Sequence, residues 1–252
     1  MNKQSESYRE LCTEFYVLDN PHAPLDALRY YLACAAEANG SILEPMCGAG
    51  RFLIPLIEEG YDVTGFDNSP HMLEVCRNKC FEKKINPQLV EASFETFSSN
   101  ISYKLIFIPS ASFCLLVDLV DVQQALRKIF ECLANDGKFI FEIETLKAVR
   151  EPQGIWSGRW IKKDDGSLFL HNRIFHFDTV TNIETRLCRK ELWENNRIVQ
   201  TEVEEFRLHL YVHNELDEIL EGIGFKIKNK FIPYTRTQAD ENAQMILYEC
   251  VK

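Results

Sequence analysis

The sequence predicts an α/β protein: a doubly wound, mostly parallel sheet of seven strands, interrupted late in the chain by an inserted antiparallel β-meander. Three observations predict it. Short apolar runs alternate with helical stretches of roughly 10–15 residues between residues 41 and 150. The rhythm then breaks into long alternating strands between Trp156 and Val212. It resumes at residue 214 with one helix and two closing strands. The division that follows is N-terminal helices forming a lid over 1–40, an α/β core over 41–150 and 214–252, and a β insertion over 151–213 that covers the substrate or forms a dimer face.

Composition narrows the class. The chain has 252 residues, a net charge of −10 and nine cysteines. Its hydrophobic fraction of 46% and aromatic fraction of 12% give enough apolar surface to offset ordering entropy, which excludes a mostly disordered chain. The acidic balance argues against broad nucleic-acid binding, which needs an extended basic footprint, and against docking on anionic membranes. The most apolar stretch, Leu105 to Val120, is broken by Pro109, Ser110, Ser112 and Asp118, short of the ~20 apolar residues of a membrane span. Met1 to Arg9 lacks the apolar core of a signal peptide. The cysteines are odd in number and scattered, mostly in apolar runs, so a reduced cytoplasmic protein without disulfides is expected.

Each element has its signal. Ser5 to Leu18 places Tyr8, Leu11, Phe15 and Leu18 on one helix face before Asn20-Pro21 breaks it. A second helix runs from Leu25 to about Ala38 and stops at Asn39-Gly40. Ser41 to Met46 is a strand, Arg51 to Glu59 a helix ended by Gly60, and Tyr61 to Phe66 a strand ending in Asp67. Ser69 caps the next helix and Pro70 opens it, where a missing N–H costs nothing. Gln88 to Ala92 and Lys104 to Ile108 are strands. Val120 to Leu133 is an amphipathic helix, and Asn135-Asp136-Gly137 turns into a strand over Lys138 to Ile143. The meander turns at Asp164-Asp165-Gly166, near Thr179 to Asn182, and at Glu194-Asn195-Asn196. Asn214 caps a helix over Glu215 to Glu221, followed by strands over Lys226 to Ile232 and Met245 to Val251.

Chemistry concentrates in the run Ile42 to Arg51, which reads as strand, glycine turn and helix start. Gly48 and Gly50 permit backbone angles and close ligand approach that a side chain would block. The positive amino end of the helix follows. Asp67 ends the next strand, where a carboxylate can accept hydrogen bonds from both hydroxyls of a ribose. An adenosine-type ligand across the carboxyl edge of the sheet fits this set. A dinucleotide fingerprint would want a third glycine where Leu53 stands. Glu44, at the strand end, would match a pyrophosphate poorly and a ligand with an ammonium and a sulfonium well. S-adenosylmethionine (SAM) is therefore favoured over NAD.

Glu44-Pro45-Met46-Cys47-Gly48-Ala49-Gly50-Arg51 resembles motif I of class I SAM-dependent methyltransferases, in the small-molecule branch where the loop reads (D/E)-x-x-C-G-x-G-R. Gly65-Phe66-Asp67-Asn68-Ser69-Pro70-His71-Met72-Leu73 resembles that family's second-strand motif, G-x-D-x-S-x-x-M-L. The resemblance implies a Rossmann-like sheet closed by an antiparallel C-terminal strand. It implies that Glu44 faces the methionine amino group, that Gly48 and Gly50 pass beneath the methionine portion, and that Asp67 holds the ribose with Asn68 and Met72 beside the adenosine. Ser93 and Phe94 stand where the family places an acidic and an apolar residue around the adenine, so the acid is replaced by a hydroxyl. Ile108, Pro109 and Ser110 end the fourth strand, where the family lines the reactive methyl. The insertion resembles more loosely, through its topology and the run Phe206 to Glu215, that of methyltransferases acting on nucleotide-linked amino sugars. There it covers the active site and takes part in dimerisation.

The function expected is methyl transfer to a soluble small-molecule acceptor, such as the amine of a sugar-like metabolite, with a possible homodimer through the insertion. No nucleic-acid, membrane or metal partner is expected. Ile108-Pro109-Ser110-Ala111 lacks the (N/D)-P-P-(Y/F) tetrapeptide of adenine and glutamine N-methylases. Two other readings are open: a non-catalytic SAM-binding regulatory or assembly protein, and an NAD-type oxidoreductase. His209 and Glu144 are the candidate general bases for a hydroxyl acceptor. Against this, His209, sharing a face with Arg207 and Tyr211, also fits a solvated strand face. His171 and Arg173 share a face in the same way. Tyr8 and Tyr16 either close over the cofactor or pack their own helix, and Trp156 and Trp160 either wall a pocket or lie in an interface or core. Cys47 has no cation beside it except Arg51 and does not read as a nucleophile. Cys76 and Cys80, one helical turn apart without further ligands, read as helix packing.

Overall fold

A computed structural model describes residues 8–252. The first part of the helix expected over 5–18 lies outside the described residues; the helix observed, α1, spans Glu10–Asp19. Helix α2 spans Leu25–Ala38. Five parallel strands follow, β1 (Ile42–Pro45), β2 (Val63–Asp67), β3 (Gln88–Glu91), β4 (Tyr103–Ile108) and β5 (Leu133–Glu144). Helices α3 (Leu53–Glu58), α4 (Pro70–Glu82) and α5 (Leu119–Cys132) connect them. After the insertion come α6 (Asp217–Ile223), β10 (Lys226–Phe231) and β11 (Met245–Val251). The sheet order is β10-β11-β5-β4-β1-β2-β3, with β11 antiparallel to both neighbours.

Apart from the exposed edge strand β3, the parallel strands are buried on both faces, which is why they read as largely apolar runs. Leu43, Phe66, Ile106, Ile108, Phe139 and Phe141 pack to one side with α5 and α6. Ile42, Leu105, Phe107, Ile140 and Leu247 pack to the other with α2, α3 and α4.

The insertion forms a separate four-stranded antiparallel sheet, β6 (Ser157–Lys162), β7 (Leu168–Asp178), β8 (Ile183–Glu194) and β9 (Arg197–His209). Its turns fall at the three polar clusters the sequence offers. Asn195 and Asn196 both take positive φ, as a tight hairpin demands. Between this cover sheet and the core lies α1, with Leu11 and Phe15 packed against Phe169.

Two local expectations change. Asn135-Asp136-Gly137 is a bulge inside β5, not a turn before it, since the register against β4 shifts between Tyr103 and Leu105. Gly137 fits there because a Cβ would come within 2.9 Å of the Tyr103 carbonyl oxygen. Asn214 does not cap α6 directly: it takes a φ of 68° and the helix begins at Asp217.

Candidate functional site

Strand order reverses between β1 and β4, so the loops leaving their carboxyl ends diverge and open a crevice. The turn after β1 lines it. Gly48 (φ 53°) and Gly50 (φ 76°) hold left-handed angles. A methyl on Gly48 would meet only Met72 Sδ, at 3.9 Å, so this glycine serves its dihedral angle and leaves the backbone open on the crevice side. Gly50 is needed for space as well: a Cβ there would lie 2.5 Å from Cys76 Sγ.

Leu53, where a dinucleotide site would have its third glycine, packs into room made by a glycine on the other element. A Cβ on Gly65 of β2 would come within 2.4 Å of Leu53 Cδ1. Close approach of helix and strand is thus achieved with the small residue moved from α3 to β2.

Two carboxylates flank the turn. Glu44, in β1, is 2% exposed, and its Oε2 has no hydrogen-bond partner. Burial holds its carboxyl well above the usual carboxylate range, although the Arg51 charge and the Leu53 amide pull it back. Asp67 Oδ2 accepts the Gly48 amide at 2.9 Å and its Oδ1 accepts the Ser69 amide at 2.8 Å. Each oxygen keeps a further acceptor direction, enough for two hydroxyl donors. Burial raises Asp67 too, opposed by these amides. Ser69 caps α4 through the Met72 amide at 3.2 Å, with Pro70 at the helix start. Asn68 is exposed at this corner and Met72 is buried beneath the turn.

After β3, Ser93 is occupied by its own turn: its amide donates to Thr96 Oγ1 at 2.9 Å and its Oγ accepts the Glu95 amide at 3.3 Å. Phe94 is buried and meets Phe66 edge-on at 5.2 Å. At the end of β4, Ile108 is fully buried, and Ser110 lies exposed at the crevice with a φ of 58°.

The chain from Tyr8 onward packs beside the turn. Ser69 Oγ donates to the Tyr8 carbonyl at 3.0 Å, and Tyr8 packs edge-on against Tyr16 and Phe206. Arg51 lies 5.3 Å from the Tyr16 ring centroid and donates to Ser110 Oγ at 3.1 Å. It therefore spans from the glycine turn to the end of β4. Glu142 sits one strand over, its carboxylate accepting from Tyr31, Tyr234 and the Ser110 amide. Arg51 and Glu142 were not among the expected site residues. Their signals were the arginine closing the glycine motif and a lone acid inside the apolar run Phe139 to Ile143.

Neither candidate base stands free. Glu144 is bound by Arg150 at 2.9 and 3.1 Å and by Arg186 at 3.2 Å. Burial would raise it, but its hydrogen bonds and the charges of Arg150 and Arg186 hold it below the usual range. His209 Nε2 pairs with Glu215 Oε1 at 2.7 Å. Strand alternation puts His209 on the face of β9 opposite Phe206, the residue that reaches Tyr8. The cause is a neighbour invisible in strand periodicity: Glu215, beyond the strand, captures the ring. His171, on β7, is pushed down to about 3 by burial and by Lys190, Arg173 and Arg159, and packs against Phe15.

All nine cysteines are buried and unpaired, and burial pushes Cys47 up, the opposite of an activated thiol. Among the described residues no group of three or more His, Cys, Asp or Glu is placed to hold a metal ion, and no helix is long and apolar enough to cross a membrane. Trp156 and Trp160 are 51% and 64% exposed, so neither is in the core.

Residues 42–137 match a family described as a methyltransferase domain. YqeM of Bacillus subtilis, named as a candidate methyltransferase, is 21% identical over 92% of both chains. An S-adenosylmethionine-dependent methyltransferase from Clostridium acetobutylicum has a TM-score of 0.78 at 16% identity, covering 94% of this chain and 96% of its own. The sugar N-methyltransferase KedS8 from a Streptoalloteichus species has a TM-score of 0.74 at 13% identity, covering 93% and 91%. These two structures share the fold.

Proposed function

We propose that this chain, which carries a methyltransferase domain over residues 42–137, binds S-adenosylmethionine in the β1/β4 crevice and transfers its methyl group to a small polar acceptor. One observation carries the reading: the unpartnered Oε2 of buried Glu44, beside a glycine turn with Asp67 on its far side. A buried carboxylate oxygen without a donor is costly and signals a donor supplied by a ligand. An ammonium is such a donor, and a pyrophosphate is its opposite, which disfavours the NAD-type alternative.

Bound there, the cofactor supplies an electrophilic methyl group on a sulfonium. The chain's own residues do the rest. Glu44 would take the amino group, and Arg51, the cation nearest the turn, its carboxylate. Asp67 would accept the ribose hydroxyls on the lone pairs its amide bonds leave free, with Gly48 and Gly50 beneath and Asn68 and Met72 beside the adenosine. Phe94 would wall the base. Ser93 would contribute through its turn. Ser110 would line the transfer position with Ile108 packed in the core beneath it, and Tyr8 and Tyr16 would exclude water above it.

The structure offers no free base at the expected positions. An amine acceptor that is neutral when bound needs none, since alignment supplies most of the rate. This supports an amine over a hydroxyl, and the sugar N-methyltransferase likeness points the same way. Glu144, tied to two arginines, then serves to fix the cover sheet, and His209 to anchor the end of β9. The exposed Trp156 and Trp160 support a homodimer face on the insertion, testable by solution mass. Nine unpaired cysteines support a reducing compartment. A regulatory SAM-binding role would retain the binding and lose the turnover.

Calorimetry with S-adenosylmethionine, its demethylated product and NADH tests the cofactor. The first two should bind and the third should not. Asp67→Ala should weaken binding by about 1.5–3 kcal/mol, the value of charged hydrogen bonds. Unchanged affinity in a folded variant would remove the ribose role.

A further inference from the structure

Glu142 is a fully buried carboxylate that the scheme above does not use. Its surroundings are unusually complete. Oε1 accepts the Tyr31 hydroxyl at 2.5 Å; Oε2 accepts the Tyr234 hydroxyl at 2.8 Å and the Ser110 amide at 3.0 Å. The Ala111 amide faces it as well.

Ser110 and Ala111 have φ of 58° and 54°, two successive non-glycine residues in the left-handed region. Each costs of order 1 kcal/mol or more and persists only where the surroundings overdetermine it. Glu142 holds them, because the amides of both residues face its buried carboxylate. The tyrosines hold the carboxylate in turn. Tyr31 is fully buried, stacked on Phe107 at 4.7 Å and edge-on to Phe52 at 5.4 Å. Tyr234, itself at φ 62°, reaches in from the loop between β10 and β11.

The strained pair ends at one functional atom. Ser110 Oγ accepts the Arg51 guanidinium at 3.1 Å, and Arg51 is otherwise held only by the Tyr16 and Phe52 rings, at 5.3 and 5.9 Å, among the described residues. We propose that Glu142, clamped by Tyr31 and Tyr234, is a positioning residue for the amino-acid end of the cofactor: it fixes the Ser110-Ala111 turn, which sets the guanidinium of Arg51. This rests on the proposed cofactor reading and adds to it a residue that touches neither cofactor nor acceptor.

The test compares two ligands. S-adenosylhomocysteine carries the amino-acid end; 5′-methylthioadenosine keeps the adenosine and thioether and lacks it. Glu142→Gln cannot accept all of these donors. It should weaken S-adenosylhomocysteine by roughly 5–20-fold, of the order of one charged hydrogen bond, and leave methylthioadenosine within about twofold. Arg51→Met should show the same selectivity, and the double variant should be no weaker than Arg51→Met alone. Tyr234→Phe removes one donor from the clamp without removing the acid, and should shift affinity in the same selective sense by roughly 2–5-fold, which keeps the test open if Glu142→Gln does not fold. Parallel loss of both ligands, no loss of either, or additivity with Arg51→Met would overturn the proposal. Wild-type protein that binds neither ligand would remove the cofactor reading and this inference with it. Wild-type binding with unselective variants would remove this inference alone.

Discussion

Glu44 is a carboxylate placed where folding alone would not put one. Its raised folded-state pKa means the native chain binds that proton more tightly than the unfolded chain does. Stability from this group is full below the unfolded value, near 4.5, and is lost as pH rises toward the folded value. Glu44→Gln should therefore stabilise the ligand-free protein at neutral pH by about 1–3 kcal/mol, the cost of an unsatisfied buried polar group, and the gain should shrink toward pH 4. Thermal unfolding across pH checks the stability arm, and cofactor affinity should fall in the same variant. Gly48, Gly50 and Asp67 were legible in the sequence because each answers a local demand: a left-handed angle, a close approach, a strand end. Arg51 and Glu142 were not, because their partners Ser110, Tyr31 and Tyr234 are distant in the chain. For His209 two readings stay open in the sequence for the same reason, since an alternating strand does not show that Glu215 will take the ring.

At the level of elements, the fit of α3 on β2 depends on Gly65. Gly65→Ala should cost about 1–3 kcal/mol through overpacking against Leu53 and Cys47, read as a lowered denaturation midpoint with an unchanged slope. A Leu53→Ala second change should recover part of it. Helix α1 is held differently, by carboxylates of the cover sheet at its amino end. Glu204 accepts the Tyr8 and Arg9 amides at 3.1 and 2.7 Å, and Glu202 accepts the Cys12 amide at 2.9 Å. These are capping bonds supplied from another element, at the positive end of the helix. Glu204→Gln should loosen α1 by about 1–2 kcal/mol. Amide exchange should then speed up over 10–19 and hardly change in β4 and β5. The presence of α1 was legible in its spacing, but its seat was not, because a cap 190 residues away leaves no local trace.

For the molecule as a whole, the cover sheet meets the core through a mixed cluster of charges. Glu144 and Glu184 share Arg150 and Arg186, one acid from each sheet. Glu144 titrates below its ordinary value, so its contribution is present above about 4.5 and lost as pH falls through the lowered folded value. Glu144→Gln should cost about 2–3 kcal/mol at neutral pH, less than the ~3–5 kcal/mol of a fully buried pair because Arg150 is partly exposed. It should also flatten the acid limb of the unfolding curve; an acid limb identical to wild type would place that sensitivity elsewhere. The two-sheet division could be read from the change between short apolar runs separated by helices and long alternating strands; the order of strands in the first sheet could not, because it depends on which strands pair across the chain. How the second sheet sits could not, because opposite charges find one another only after the chain has folded.

The place where the insertion departs and returns has a consequence of its own. Thr145 and Tyr211 are bridged side by side, with the Tyr211 amide donating to the Glu144 carbonyl and the Leu146 amide to that of Tyr211. Exit and re-entry are thus stitched together like the two leads of a plug. A lineage could exchange one insertion for another of different length without disturbing the central strands, and on the function proposed above that would change the acceptor while the donor's berth stays as it was.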